Sequence, residues 1–378
     1  MPGLRPDVDP DGLQEFSVVF TDRSLNHMSA KFQTVMRDVS AMLREVYQAS
    51  AVAIVPGGGT YAMEAVARQF AAGRHGLIVR NGWFSFRWTQ IFDVGGFAAQ
   101  TTVMMARQSG NARRSPYAPP PIGEVVAKIR EVKPDVVFAP HVETSAGLIL
   151  PDSYIAAMAA AAHDAGALLV LDCIASGAIW VDMAATGVDV LVSAPQKGWS
   201  ASPSAGLVML SKRAEERLEQ TASNSFALDL KKWRAIMAAY EAGGYAYHAT
   251  MPTDALLGLR DAMAETKALG FDRLRQAQWA LGNGVRALLA AKGIQSVAAE
   301  GFAAPGVVVS YTDDADIQNG KKFLAEGLQI AAGVSLQVGE GPEFRTFRLG
   351  LFGLDKLTDV DGTIARLRTA LDRVLSPA

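Results

Sequence analysis

Leu168-Leu-Val-Leu-Asp-Cys-Ile-Ala-Ser176 and, a little further on, Val190-Leu-Val-Ser-Ala-Pro-Gln-Lys197 read as two short apolar strands, each running into a charged residue. Asp172 closes the first and Lys197 lies just beyond the second. Strands this apolar are buried on both faces, the condition of a parallel sheet covered by helices. Ligands of open α/β sheets bind outside the carboxyl ends of the strands, so one ligand can meet both the acid and the lysine. The alternative is an aspartate that caps a turn and a lysine on the surface.

Outward from this pair the chain alternates strands and helices. Phe32, Val35, Met36, Val39, Met42, Leu43 and Val46 recur at a helical period and predict a helix over 30–47. Strands are expected over 51–55, 77–79, 101–105, 136–139 and 206–210, with helices over 61–72, 84–92, 124–132 and 152–165. That alternation means βαβ units and a mainly parallel sheet between helices, an α/β fold. Helices follow over 230–240 and 254–292, the second broken near Gly270. The tail reads strand 306–310, helix 317–327, strands 335–338 and 346–349, and helix 358–375, a small α+β unit. The expected division is an N-terminal arm (1–15), a large domain (16–252) and a smaller C-terminal domain (253–378) that opens on a linker helix.

Of the 378 residues, 49% are hydrophobic and 20% charged, enough for a large globular core. The net charge of −2 gives no electrostatic case for nucleic acid or an anionic membrane. Cys173 is the single cysteine, so neither an internal disulfide nor a cysteine-based metal cluster is expected. The five histidines show no HxxxH or HExxH spacing, and no metal site is expected. Without an apolar signal core or a run of transmembrane length, the expectation is a soluble cytoplasmic protein.

An acid and a lysine at one sheet edge suit pyridoxal phosphate (PLP) chemistry. The lysine forms a Schiff base with the aldehyde, and the aspartate keeps the pyridine nitrogen protonated. Other stretches bear on this. Pro56-Gly-Gly-Gly-Thr60 lies between a strand and a helix, where backbone N–H groups and a threonine hydroxyl suit a phosphate; a tight turn explains it equally. Asn81-Gly-Trp-Phe-Ser-Phe-Arg-Trp88 offers aromatics, among them Phe84, that either stack on a flat ring or fill a core or subunit interface. His141-Val-Glu-Thr-Ser-Ala-Gly147 offers Thr144 and Ser145 to a ring hydroxyl, with Glu143 as support. Gln196 can donate its amide to the phosphate. Arg345 and Arg348 sit at odd spacing on a strand, so only one can face a cleft and clamp a carboxylate.

In this order the features resemble a fold-type-I PLP enzyme of the class V aminotransferases, in the alanine–glyoxylate and serine–glyoxylate branch. The similarity runs from about Phe32 to near the C-terminus, and is most specific at Ser193-Ala-Pro-Gln-Lys-Gly198, Tyr247-His-Ala-Thr-Met-Pro252 and Phe347-Arg-Leu-Gly350. The resemblance implies PLP as cofactor, with its phosphate on Gly58, Gly59, Thr60 and Gln196. It also implies Phe84 against the ring, Thr144 or Ser145 on the ring hydroxyl, Asp172 on the pyridine nitrogen and Lys197 in the Schiff base. Arg348 is implied to bind the substrate carboxylate. Tyr247 and Thr250 would reach the phosphate of a neighbouring subunit, which makes the active unit a homodimer. The front end departs from the family: Phe16-Ser-Val-Val-Phe-Thr-Asp-Arg-Ser24 stands where a glycine–proline strand is usual, which leaves substrate choice open. Arg23 and the Arg113-Arg114 loop are further candidates for anion contacts at the entrance.

The expected activity is transfer of an amino group from a small 2-amino acid to a 2-oxo acid such as glyoxylate or pyruvate. The rivals are a PLP-dependent lyase and a PLP-fold protein that has lost its chemistry. A desulfurase needs a mobile, exposed thiol, whereas Cys173 is expected to be buried at a strand end.

Overall fold

The computed structural model describes residues 16–375 apart from 19, 21 and 22, so the arm expected over 1–15 lies outside the described residues. Seven strands form the main sheet: β1 (Ala51–Pro56), β2 (His75–Arg80), β3 (Gln100–Met105), β4 (Val136–Pro140), β5 (Leu168–Asp172), β6 (Val190–Ser193) and β7 (Ala205–Leu210). Their order is β1-β7-β6-β5-β4-β2-β3. Only β7 runs against its neighbours; every other pairing is parallel. The two strands that open the sequence reading are adjacent, with Val192 beside Asp172.

The apolar runs explain this placement. Leu168 to Leu171 are fully buried, as are Val190 to Val192. Each such side chain contributes roughly 1.5–3 kcal/mol relative to exposure. Helices Ala30–Tyr47, Gly59–Phe70, Trp83–Gly95, Asp152–Asp164 and Leu230–Glu241 pack on the sheet. The parallel strands end together, so Gly57, Asn81, His141, Asp172 and the loop after Ser193 gather at one edge.

Helix Thr253–Leu269 packs along Ala30–Tyr47, with ion pairs Arg260–Asp38 (3.0 Å) and Lys267–Glu45 (2.5 Å). The expected break falls at Gly270, whose φ of +92° stops that helix and starts Phe271–Ala291. A second sheet follows, ordered β8 (Val307–Tyr311), β10 (Thr346–Gly350), β9 (Ala331–Ala332), all antiparallel. Two tail expectations fail. The helix over 317–327 is two short helices, Ala315–Gln318 and Lys321–Ala325, parted at Gly320 with φ +83°. No strand forms over 335–338, because the Glu340 carboxylate takes the backbone N–H groups of Leu336, Gln337 and Val338 that a ladder would use. Among the described residues no helix is long and apolar enough to cross a membrane.

Candidate active site

A cavity of about 480 Å³ opens at the strand-end edge, between the main sheet and the second one. It is lined by Gly57 to Tyr61 after β1, Phe84 and Arg87 after β2, and Thr144 after β4. Asp172 and Ile174 line it at the end of β5, Gln196 and Lys197 after β6, and Ala331 and Arg348 from the second sheet. Of the residues expected at a site, Gly58, Gly59, Thr60, Phe84, Thr144, Asp172, Gln196, Lys197 and Arg348 therefore share one wall-to-wall space.

Burial sets the character of the acid and the lysine. Asp172 is 6% exposed and receives one hydrogen bond among the described residues, from Ile174 N to Oδ1 at 2.9 Å. Desolvation raises its carboxyl to about 7, with the Ile174 N–H opposing and the Glu143 charge adding to the rise. The Arg87 charge also opposes the rise, but among the described residues no cation forms a salt bridge with this carboxylate. Lys197 is held below the ordinary lysine range by burial and then by the Arg348 charge, which shifts it toward the neutral, nucleophilic amine. Its Nζ lies 5.2 Å from the centre of the Phe352 ring.

The Lys197 loop is fixed from behind. Trp199 is fully buried, with its ring centre 4.6 Å from Trp180, 6.2 Å from Phe271 and 6.4 Å from Tyr47. A Cβ on Gly198 would stand 2.2 Å from the Gly177 carbonyl oxygen, so only glycine lets the two backbones touch here. Ser200 accepts from Leu354 N at 3.0 Å and ties this loop to the C-terminal part.

Phe84 is placed by a carboxylate. Glu143 is fully buried and accepts from Phe84 N (3.1 Å), Ser85 N (2.9 Å), Ser85 Oγ (2.6 Å), Ser145 N (3.1 Å) and Ser145 Oγ (2.7 Å). Its charge stands at the N-terminus of helix Trp83–Gly95, where the helix dipole favours an anion. The support role read for Glu143 is thus what its contacts describe. Ser145 belongs to the same knot: it accepts from Trp83 N, is fully buried and does not line the cavity, whereas Thr144 does. Glu143→Gln would put an amide N–H2 against several N–H donors. We expect it to lower unfolding free energy by about 2–4 kcal/mol; a urea midpoint equal to wild type would contradict that placement.

Arg348 donates Nε to the Ala332 carbonyl at 2.8 Å, with its guanidinium carbon 5.5 Å from the Phe84 ring centre. Arg345, just ahead of β10, donates to the Asp313 carbonyl outside the cavity, so of the two arginines only Arg348 meets the cleft. Tyr247 and Thr250 are exposed, 3.3 Å from each other, and do not line this chain's cavity. Arg113 and Arg114 pair with Asp313 and are not at the cavity, and Arg23 does not line it. Arg87 was missed by sequence reading, although its i+3 spacing from Phe84 on one helix face marks it as a neighbour.

These groups suit PLP. The Gly58 Cβ position is open space, and helix Gly59–Phe70 starts there without a side-chain cap, so its first N–H groups remain for an anion. The buried Gln196 Oε1 has no hydrogen-bond partner, which leaves the amide to turn its N–H2 into the cleft. Asp172 has no salt-bridge partner among the described residues, and the basicity of Lys197 is depressed, as suits an imine-forming amine. Cys173 is 2% exposed, and burial pushes its thiol well above the ordinary range, contrary to what a desulfurase nucleophile needs.

A sequence profile described as Aminotransferase class-V matches residues 13–340. A 2-aminoethylphosphonate–pyruvate transaminase of Burkholderia ambifaria is 28% identical over 329 residues, 84% of this chain and 80% of that one. A protein named soluble hydrogenase, small subunit, from Synechococcus sp. is 27% identical over 355 residues, 93% of this chain and 87% of that one. Among solved structures, alanine–glyoxylate aminotransferase from Nostoc sp. superposes with a TM-score of 0.77 at 23% identity, covering 91% of this chain and 88% of that one. Pyridoxamine–pyruvate aminotransferase from Mesorhizobium loti gives 0.76 at 18% identity, covering 93% and 87%. The main sheet with its one reversed strand, the lysine and buried acid at its edge, and the profile match agree: the chain belongs to the class V aminotransferases, PLP-dependent transaminases of fold type I.

Proposed function

We propose that the chain moves the amino group of a small 2-amino acid to a 2-oxo acid such as glyoxylate or pyruvate, as a cytoplasmic homodimer. The observation that carries this reading is the meeting of Lys197, Asp172 and Arg348 in one cavity of about 480 Å³, a space that a cofactor and a small substrate would fill together. Bound PLP supplies a protonated pyridine ring that takes up the electron pair left at the substrate Cα. Asp172 keeps that ring nitrogen protonated, and the ring's positive charge offsets the burial of the carboxylate. Lys197 Nζ would hold the cofactor aldehyde and, as a free amine, would carry the proton away from the substrate Cα. The Phe84 ring forms one wall against the cofactor, and Thr144 serves its ring hydroxyl. The cradle of Gly58, Gly59, Thr60 and Gln196 holds the phosphate.

Arg348 sets which end of the substrate goes where. Its Nε is committed to Ala332 O, so the two Nη groups remain for a carboxylate. Arg348→Met is expected to lower kcat/KM for the amino donor by about 10²-fold, chiefly through KM, as a charge-assisted pair is lost. An unchanged KM would remove Arg348 from the substrate site. The pairing with pyruvate in the relatives' names supports a 2-oxo acid acceptor, and feeding glyoxylate and pyruvate separately would name it.

A second copy completes the site in this reading. Exposed Phe226 (78%), Tyr245 (51%) and Tyr247 (57%) give an apolar face of the kind an interface covers, and that contact carries Tyr247 and Thr250 to the partner's phosphate. Light scattering should return twice the 40.2 kDa chain mass. The division at 252/253 then separates a cofactor-holding part from a smaller part that brings Arg348, with Gly270 as the point where the linking helices part.

A further inference from the structure

Arg87 has no role in the reading above, yet it lines the cavity. Its Nη1 donates to Thr60 Oγ1 at 3.0 Å, and its guanidinium carbon lies 5.4 Å from the Phe84 ring centre. Arg348 lies at 5.5 Å from the same ring. Two guanidinium groups thus flank one aromatic residue. Arg348 stands on the second sheet, and Arg87, from helix Trp83–Gly95, reaches the start of helix Gly59–Phe70 beside the glycine turn. Among the described residues Arg87 makes no ion pair with a carboxylate and its only hydrogen bond is to Thr60. A surface arginine with no further task normally lies against an acid or in open water.

The charges of the cavity point the same way. Its lining holds three cationic side chains, Arg87, Lys197 and Arg348, and one acid, Asp172. In the proposed chemistry Asp172 pairs with the ring nitrogen and Arg348 with the substrate carboxylate. Lys197 is spent on the aldehyde. A phosphate monoester of about −1.5 to −2 charge is then left with backbone N–H groups, one amide and neutral hydroxyls, and Arg87 is the cation beside them.

We infer that Arg87 is a cofactor-phosphate residue of this chain, acting in two ways through its contact with Thr60. Its guanidinium supplies the positive charge that the glycine turn lacks. By donating to Thr60 Oγ1 it also occupies a lone pair of that hydroxyl, so the Thr60 proton is turned to donate to the phosphate. The inference rests on PLP being the cofactor and adds a residue to its binding.

The test compares PLP with pyridoxal, which has the aldehyde and ring but no phosphate. Apo protein, Arg87→Met and Arg87→Lys are titrated with each compound, followed by absorbance and by thermal shift. For Arg87→Met the expected result is PLP affinity weakened roughly 10- to 100-fold, the range of a hydrogen bond to a charged group, with pyridoxal affinity equal to wild type. Arg87→Lys keeps the charge but loses the planar fork, and is expected to fall between the two. Equal loss for PLP and pyridoxal would mean that Arg87 only holds helix Trp83–Gly95 in place, and would overturn the inference. So would unchanged PLP affinity, or a change confined to the KM of an anionic substrate. Failure of wild-type protein to bind PLP would instead sink the function proposed above.

Discussion

Lys197→Ala is expected to lower kcat by at least about 10⁴-fold, because one amine holds two roles that substitution removes together. It anchors the cofactor and it moves the Cα proton, and general acid–base catalysis alone contributes about 10²–10⁴-fold. The fold invests in the position of this amine. Trp199 is locked among Trp180, Tyr47 and Phe271, and Gly198 lies directly on Gly177. Burial and Arg348 together lower the basicity of this amine. The loop is held by Trp199 and Gly198, so the alanine variant should fold and retain wild-type unfolding behaviour without cofactor. Borohydride treatment followed by peptide mass analysis checks the assignment. Wild type should carry the reduced cofactor on Lys197, and the variant should carry none. Turnover within tenfold of wild type would contradict the role.

The second large effect concerns Asp172. Asp172→Asn keeps the shape but cannot hold a pyridinium by charge, and a loss of about 10²–10³-fold in kcat is expected, comparable to removing one preorganised electrostatic group. The same carboxylate leaves a signature in stability. Its pKa in the folded protein is about 7, against 3.8 for the free group. Between those values the folded state binds more protons than the unfolded one, so this group's contribution falls as pH rises and its full cost, on the order of a few kcal/mol, is present above pH 7. The melting temperature of apo wild type minus that of apo Asp172→Asn should therefore decrease from pH 5 to pH 8. PLP, by placing a cation at the carboxylate, should stabilise wild type more at the upper end of that window. A difference that is flat with pH would mean that Asp172 is not buried as a lone acid.

Much of this site was legible in the chain because its carriers are strand ends and turns with strong local signals. Leu168 to Asp172 and Val190 to Lys197 announce buried parallel strands, and their adjacency follows from the parallel order. Of Arg345 and Arg348, which the sequence places at odd spacing, Arg348 meets the cavity and Arg345 meets Asp313. What sequence reading lost depends on contacts between distant segments. Thr144 and Ser145 are neighbours, and only the Glu143 hydrogen bonds, made with residues near 84, decide which of them is tied away. Arg87 is one arginine of many until the cavity wall is assembled. Residues 335–338 alternate like a strand, but Glu340 captures their N–H groups locally and Gln337 takes a left-handed φ of +63°. The Arg113-Arg114 loop is drawn aside by Asp313, which pairs with both arginines, and by Glu343, 3.8 Å from Arg113.

The most direct test of the account is a single half-reaction. Holoenzyme is mixed with an excess of one small amino donor in the absence of any 2-oxo acid, and the cofactor is then released by denaturation and identified. A transaminase should yield one 2-oxo acid per active site, the cofactor should be recovered as pyridoxamine phosphate, and the reaction should stop there until glyoxylate or pyruvate is added. Continued production of 2-oxo acid and ammonia, with the cofactor recovered as PLP, would contradict transamination and establish the lyase reaction in its place.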